Sequence, residues 1–224
     1  MPQIPHQALI RFTRERDWVL DVFAGSGTSL IKCKQLNRNS IGIELVPKVA
    51  ALANKLIEKQ NNPSVFAKVI VADSASSGTT KRVKAILAAH KTNKVQLIIM
   101  HPPYFNVIRF SENPKDLSNA PSIEAYLRMF EVVTNNFADL LEEGRYLVLV
   151  MGDVYLDGEY IPLASETMQI IRKTCLFKLK STVIKNINGN RGKRGQESLW
   201  NYRVLKNGLF IFKHEYIYFF QKIR

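Results

Sequence analysis

The stretch Trp18-Val19-Leu20-Asp21-Val22-Phe23-Ala24-Gly25-Ser26-Gly27-Thr28 constrains the chain more than any other, because an apolar strand ends in an acid and passes at once into a glycine turn. Leu30-Ile31, Cys33 and Leu36 then recur at helical spacing, so the two glycines sit where a strand hands over to a helix. Gly25 and Gly27 can take backbone angles closed to other residues and let a ligand approach the main chain. The helix that follows points unpaired N–H groups at the same spot. A cofactor site built on a strand-turn-helix unit is the first expectation.

The rest of the chain supplies more such units. A short helix within residues 1–16 precedes the first strand, and a helix from about Ser26 to Leu36 follows it. Ser40-Ile41-Gly42-Ile43-Glu44 reads as a second buried strand, and Pro47 opens a helix that runs to about Lys59 with Val49, Leu52, Ala53, Leu56 and Ile57 on one face. Val69 to Asp73 is predicted as the third strand. A polar loop from Ser74 to Thr80 leads into a basic helix that ends near His90, and Val95 to Met100 is the fourth strand. Two prolines then forbid a helix, and residues 105–121 have the composition of a long loop.

A helix is predicted from Ser122 to Gly144, a fifth strand from Tyr146 to Met151, a loop from Gly152 to Tyr160 and a helix from Leu163 to Lys173. A strand from Phe177 to Lys185, a basic turn-rich segment over 186–208 and an aromatic strand from Phe210 to Phe220 complete the chain. Alternating strands and helices of this kind predict an open, Rossmann-like α/β sheet, mostly parallel, with helices on both faces. Ligands of such sheets bind beyond the carboxyl ends of the strands, where Asp21, Glu44, Asp73 and His101 all fall.

The 224 residues suit one domain spanning 1–224, with no repeat and no linker. No apolar run is long enough to cross a bilayer, and Met1-Pro2-Gln3-Ile4-Pro5-His6 lacks the form of a signal peptide, so a cytoplasmic protein with no membrane partner is expected. Cys33 and Cys175 have neither metal-ligand spacing nor a histidine cluster, so no metal is expected. A formal net charge of +13 points to a polyanionic partner, with nucleic acid the favoured one.

The glycine turn lacks the Lys-Ser/Thr ending of a triphosphate-binding loop and does not fit dinucleotide spacing. Glu44 narrows its meaning, because an acid one strand-helix-strand unit beyond Asp21 can accept both hydroxyls of a ribose. Asp73 is read either as a contact to an adenine amino group or as a helix cap. His101-Pro102-Pro103-Tyr104 is the sharpest chemical signal: the prolines fix the backbone after a buried strand, and an aromatic ring follows to stack on something flat.

These residues resemble the S-adenosylmethionine-dependent DNA methyltransferases that modify adenine N6 or cytosine N4. Phe23 to Thr28 looks like that family's cofactor motif, with Val22 where proline is usual. His101 to Tyr104 looks like its catalytic tetrapeptide, whose first place is normally Asp, Asn or Ser. Ile4-Pro5-His6-Gln7 resembles the tail of an additional cofactor segment, and Lys213 to Ile217 resembles the family's last strand. The resemblance implies a seven-stranded sheet with one antiparallel strand near its edge, and S-adenosylmethionine held by Asp21, Phe23, Gly25, Ser26, Gly27, Thr28, Glu44 and Asp73.

The same resemblance implies catalysis by His101, Pro102, Pro103 and Tyr104. An exocyclic amino nitrogen is a poor nucleophile, so the site must accept its protons as the methyl arrives. The His101 side chain and the Pro102 carbonyl are the expected acceptors, Tyr104 would stack on an extruded base, and Phe105 would help to line the pocket. A histidine can accept only when neutral and in the right tautomer.

Double-stranded DNA is the expected partner. Contacts are assigned to Lys185, Arg191, Lys193, Arg194 and Arg203, interleaved with Trp200 and Tyr202, and to Arg109 in the loop after the tetrapeptide. A homodimer, or a restriction or specificity partner, would supply what these loops do not. Adenine is favoured over cytosine by the resemblance. The alternatives are an RNA or ribosomal-RNA methyltransferase and a non-catalytic nucleic-acid-binding domain.

Overall fold

The computed structural model describes residues 3–174, 176–187, 206, 208–210 and 213–223. Helix α1 (Gln3–Phe12) precedes strand β1 (Trp18–Asp21), and α2 (Thr28–Gln35), β2 (Asn39–Glu44), α3 (Pro47–Glu58), β3 (Ala67–Val71), α4 (Ser77–Ala89) and β4 (Val95–Met100) follow in strict alternation. Beyond these come α5 (Ile123–Ala138), β5 (Leu141–Met151), the short strands β6 (Val154–Leu156) and β7 (Glu159–Ile161), α6 (Leu163–Lys173), β8 (Phe177–Asn186) and β9 (His214–Lys222).

Seven strands form one sheet in the order β3-β2-β1-β4-β5-β9-β8, and β9 is antiparallel to both of its neighbours. The central strands carry continuous apolar runs, Trp18 to Leu20, Leu97 to Met100 and Leu147 to Met151, because both faces of the sheet are covered. On one face Leu20, Ile98, Met100, Leu147, Leu149 and Phe220 pack with residues of α4, α5 and α6. On the other, Val19, Leu97, Ile99, Val148, Val150 and Ile217 pack with Ala8 and Leu9 of α1 and Cys33 of α2, while α3 joins α2 in a satellite cluster over β3. The result is a three-layer sandwich with helices on both faces and one antiparallel strand beside the edge, which agrees with the fold expected.

Reversal of β9 has a direct effect on the site. Its first residues lie at the edge of the sheet where β4 and β5 end, since Met151 pairs with Tyr216 and Lys185 with Glu215. Glu215 and Lys185 therefore reach the same edge as His101.

Several boundaries differ from the sequence reading. β3 stops at Val71, so Asp73 stands in the loop after it. α5 stops at Ala138, and β5 begins at Leu141, ahead of Gly144. Leu140 and Leu141 continue the helical spacing, but Gly144 takes a φ of 76° inside a strand irregularity, where the register passes from Val95–Leu141 to Leu97–Tyr146. The segment after Gly152 forms the β6–β7 hairpin instead of an open loop. The last strand starts at His214, four residues beyond the expected Phe210.

Gly42 is needed where β2 passes beneath the glycine turn: a Cβ there would lie 2.8 Å from Ala24 Cβ and 2.9 Å from Leu30 Cδ1. Gly42→Ala is expected to cost about 1–3 kcal/mol through overpacking. A lower urea midpoint with an unchanged slope checks this, and an unchanged midpoint contradicts it.

Candidate active site

A cavity of about 730 Å³ opens at the carboxyl edge of the sheet, bounded by the glycine turn, the ends of β2 and β4, and the start of β9. Asp21, Phe23, Gly25, Ser26, Thr28, Glu44 and Asp73 all line it, as do His101, Pro102, Pro103 and Tyr104. The two groups of residues singled out in the sequence thus share one space. Gly27 stands just behind this wall, with a φ of 77° and its Cα direction filled by Ala53 and Ile57.

Gly25 has a φ of 49° and would meet nothing within 4 Å if it carried a Cβ, so the turn leaves its main chain open. Glu44 is held from behind: Gly25 N–H donates to Oε2 at 3.0 Å and Val46 N–H to Oε1 at 2.8 Å. Burial raises its pKa, and these two N–H groups oppose the shift. A carboxylate fixed in this way keeps lone pairs for a pair of vicinal hydroxyls. The volume suits a nucleoside-sized ligand, and Ile4 and Pro5 of α1 complete the wall.

Asp21 is buried and accepts from Phe23 N–H at 3.0 Å. Burial pushes its carboxyl up to about 6 from an ordinary 3.8, while hydrogen bonds from Ser29 and Phe23 pull it down. The native state therefore binds this proton more tightly than the unfolded chain. The stability this proton contributes is fully present below about pH 3.8 and is lost as pH rises through about 6, above which the buried charge carries its full cost. Asp21→Asn is expected to add about 1–3 kcal/mol at pH 7.5 and about half of that at pH 5, where the native carboxyl is already protonated. Thermal unfolding at the two pH values measures the difference, and a gain that does not shrink on acidification would contradict it.

Asp73 uses one carboxylate oxygen to accept from Ala75 N–H at 2.8 Å, and its carbonyl accepts from Ser76 N–H and Thr79 Oγ1. Lys115 lies 3.8 Å from its other oxygen. It is thus a loop organiser that also lines the cavity, while the cap of α4 is Ser76.

The tetrapeptide is anchored from below. Tyr126 of α5 donates its phenol proton to the Pro103 carbonyl at 2.7 Å. Phe105 is buried against the edge of Tyr126, with ring centroids 6.1 Å apart, and does not line the cavity. The expected lining role of Phe105 is therefore corrected: at a φ of 49° its ring turns into the core and fixes the loop there.

Tyr104 lies against Gly152, where an added Cβ would come within 2.9 Å of the ring. Its phenol oxygen stands 2.9 Å from His101 Nε2 and donates to Glu215 Oε1 at 3.1 Å, while Lys185 Nζ reaches Glu215 Oε2 at 2.5 Å. Four side chains from three strand ends and one loop form a continuous chain. The imidazole is reachable from the cavity, yet enough protein surrounds it that burial lowers the His101 pKa; Glu215 raises it and Lys185 lowers it. Burial, and then the charge and hydrogen bond of Glu215, push the Tyr104 phenol well above its usual range.

Glu215 is the site residue that sequence reasoning missed, although the Lys213 to Ile217 segment carries a family-like pattern. Lys185, expected to contact DNA from the end of its strand, is instead largely buried and paired with Glu215. Arg109 is exposed and pairs with Glu112 at 2.7 Å. Arg191, Lys193, Arg194 and Arg203, with Trp200 and Tyr202, lie outside the described residues. Among the described residues no His/Cys/Asp/Glu cluster could hold a metal ion, and no helix is long and apolar enough to cross a membrane.

A seven-stranded sheet in this order, with a glycine turn after the first strand and an acid after the second, defines the class I methyltransferase fold. Solved structures with the same fold include an S-adenosylmethionine-dependent methyltransferase from Methanosarcina mazei, at 12% identity and a TM-score of 0.60 over 96% of each chain. Another is an rRNA methylase from Streptococcus thermophilus, at 9% identity and a TM-score of 0.55 over 99% of this chain and 96% of that one.

Residues 2–55 match the family described as DNA methylase, the N6/N4 group. Over 55 residues the chain is 42% identical to the type II methyltransferase M.BglI of Bacillus subtilis, a stretch that is 25% of this chain and 16% of that protein. The N-terminal quarter, which carries the glycine turn and Glu44, is thus similar to the corresponding stretch of N6/N4 DNA amino-methyltransferases. The cofactor supported by this match and by the fold is S-adenosylmethionine.

Proposed function

We propose that the protein is a DNA methyltransferase that acts on an exocyclic amino group, adenine N6 ahead of cytosine N4, of a base extruded from the duplex. The observation that carries this reading is the shared cavity, with Glu44 and the glycine turn on one wall and His101 to Tyr104 on another. S-adenosylmethionine supplies a methyl group made electrophilic by its sulfonium. The chain's own residues do the rest: Glu44 would fix the ribose, and Gly25 leaves room for the ligand against the backbone.

At the other wall, the target amino group carries a lone pair delocalised into its ring. The His101 ring nitrogen and the Pro102 carbonyl would accept its two protons as hydrogen bonds and so favour a tetrahedral nitrogen. A lowered pKa keeps His101 neutral, as an acceptor must be, at ordinary pH. Tyr104 offers its ring to the base, and the prolines hold both acceptors in place. A net charge of +13 favours a polyanionic substrate, and the basic segment over 186–208 would track its phosphates.

Incubation with methyl-labelled S-adenosylmethionine and either duplex DNA or RNA tests the reading, followed by digestion to nucleosides. Label in N6-methyladenine or N4-methylcytosine of DNA is the expected result. Label confined to RNA would overturn the choice of substrate, and label in neither, despite tight DNA binding, would overturn catalysis.

A further inference from the structure

We propose that Glu215, clamped by Lys185, is a positioning residue that sets the tautomer of His101 through Tyr104, so that Nε2 carries the proton and Nδ1 is left as the ring's acceptor. The inference rests on the amino-methyltransferase reading for its purpose, and on hydrogen-bond direction alone for its content.

The direction follows from the Lys185 end. An ammonium has protons and no lone pair, so Lys185 donates to the Glu215 carboxylate at 2.5 Å in an ion pair. An ionised carboxylate can only accept. The 3.1 Å contact between Glu215 Oε1 and the Tyr104 oxygen therefore uses the phenol's single proton. That leaves the Tyr104 oxygen with lone pairs only, facing His101 Nε2 at 2.9 Å. An unprotonated Nε2 there would set two lone pairs against each other, so Nε2–H must donate. In a neutral imidazole the other nitrogen is then the acceptor. Among the described residues, the charged groups acting on the ring are Glu215 from β9 and Lys185 from β8.

A sequence with Asp, Asn or Ser in the place of His101 presents an oxygen and has no tautomer to fix. A histidine in that place needs a device that chooses between its nitrogens, and the buried pair supplies one. Neither partner lies near the tetrapeptide in sequence, since Glu215 is 111 residues from Tyr104.

The test is long-range proton–nitrogen NMR on the full chain labelled with nitrogen-15 histidine, without cofactor or nucleic acid, at a pH above the titration of His101. The chain has four histidines, and a His101→Asn variant identifies the signals of interest. The expected wild-type pattern is Nε2–H, and an Nδ1–H pattern would overturn the proposal. Glu215→Gln should invert it: Lys185 would hold the amide oxygen, the amide NH₂ would face Tyr104, and the phenol proton would turn to His101 Nε2. An Nε2–H pattern that persists in folded Glu215→Gln would also overturn the proposal.

Should Glu215→Gln fail to fold, Tyr104→Phe removes the relay oxygen and should relax a fully Nε2–H ring to the mixture of tautomers that a free imidazole shows. A tautomer as fully fixed as in wild type counts against the relay. In the transfer assay Glu215→Gln is expected to lose at least about tenfold in kcat, with KM for S-adenosylmethionine unchanged. An Nε2–H pattern together with no methyl transfer from wild type would overturn the functional reading and leave the tautomer assignment standing.

Discussion

Tyr104→Ala is expected to lower methyl transfer on the order of 10²-fold while S-adenosylmethionine affinity stays within about twofold, because base stacking on an aromatic ring contributes about 1–3 kcal/mol. The ring borders the part of the cavity next to Gly152 and Glu215, whereas the ribose-type anchor is Glu44 with Gly25. Loss of the phenol also removes the partner of His101 Nε2, which adds to the effect on transfer and not to cofactor binding. Tyr104→Phe keeps the ring and should fall between wild type and the alanine variant. Single-turnover transfer and equilibrium binding of the cofactor make the measurement. An equal loss in both would mean that the two halves of the cavity are assigned the wrong way round.

The second large effect is in pH dependence. Burial holds the His101 pKa below its ordinary 6.5, so the neutral, accepting ring is present at pH 7 and above and is lost as pH falls through the lowered value. Transfer should therefore be flat from pH 7 to 8 and fall by about tenfold per unit once the ring is protonated. Asp21 also takes up a proton near pH 6, so the acid limb of the wild type combines two groups. His101→Asn separates them: with a side-chain oxygen in place of the ring, the variant should retain transfer and lose the histidine part of the limb. A profile identical to wild type in His101→Asn would remove His101 from the role of acceptor.

The parts of the fold that were legible were those fixed by local chemistry. Val95 to Met100 and Leu163 to Lys173 have the bounds that periodicity alone assigns, and Asp21 and Glu44 end their strands as expected. Where the reading failed, a distant contact decides. Gly144 looks like a helix terminator, yet pairing of Leu141 with Val95 draws its neighbours into β5. Phe105 looks like a continuation of the aromatic site, but Tyr126 on α5 captures its ring. Lys185 reads as a free cation in a basic stretch, and the acid that neutralises it comes from another strand. The carboxylate and ring of each half of the site were visible; the link from His101 to Glu215 required the direction of β9, which no local pattern encodes.

That reversed strand also sets an order of events. The glycine turn, Glu44 and Asp73 lie within the first third of the chain and pair with neighbours close in sequence. The opposite wall has no Glu215 until β9 has inserted between β5 and β8, a pairing that must close a long loop and is slow for that reason. During synthesis or refolding, the donor half should thus mature before the acceptor half. A chain that has not yet docked β9 would have the glycine turn, Glu44 and His101 in place without Glu215, and so without the group that orders the histidine.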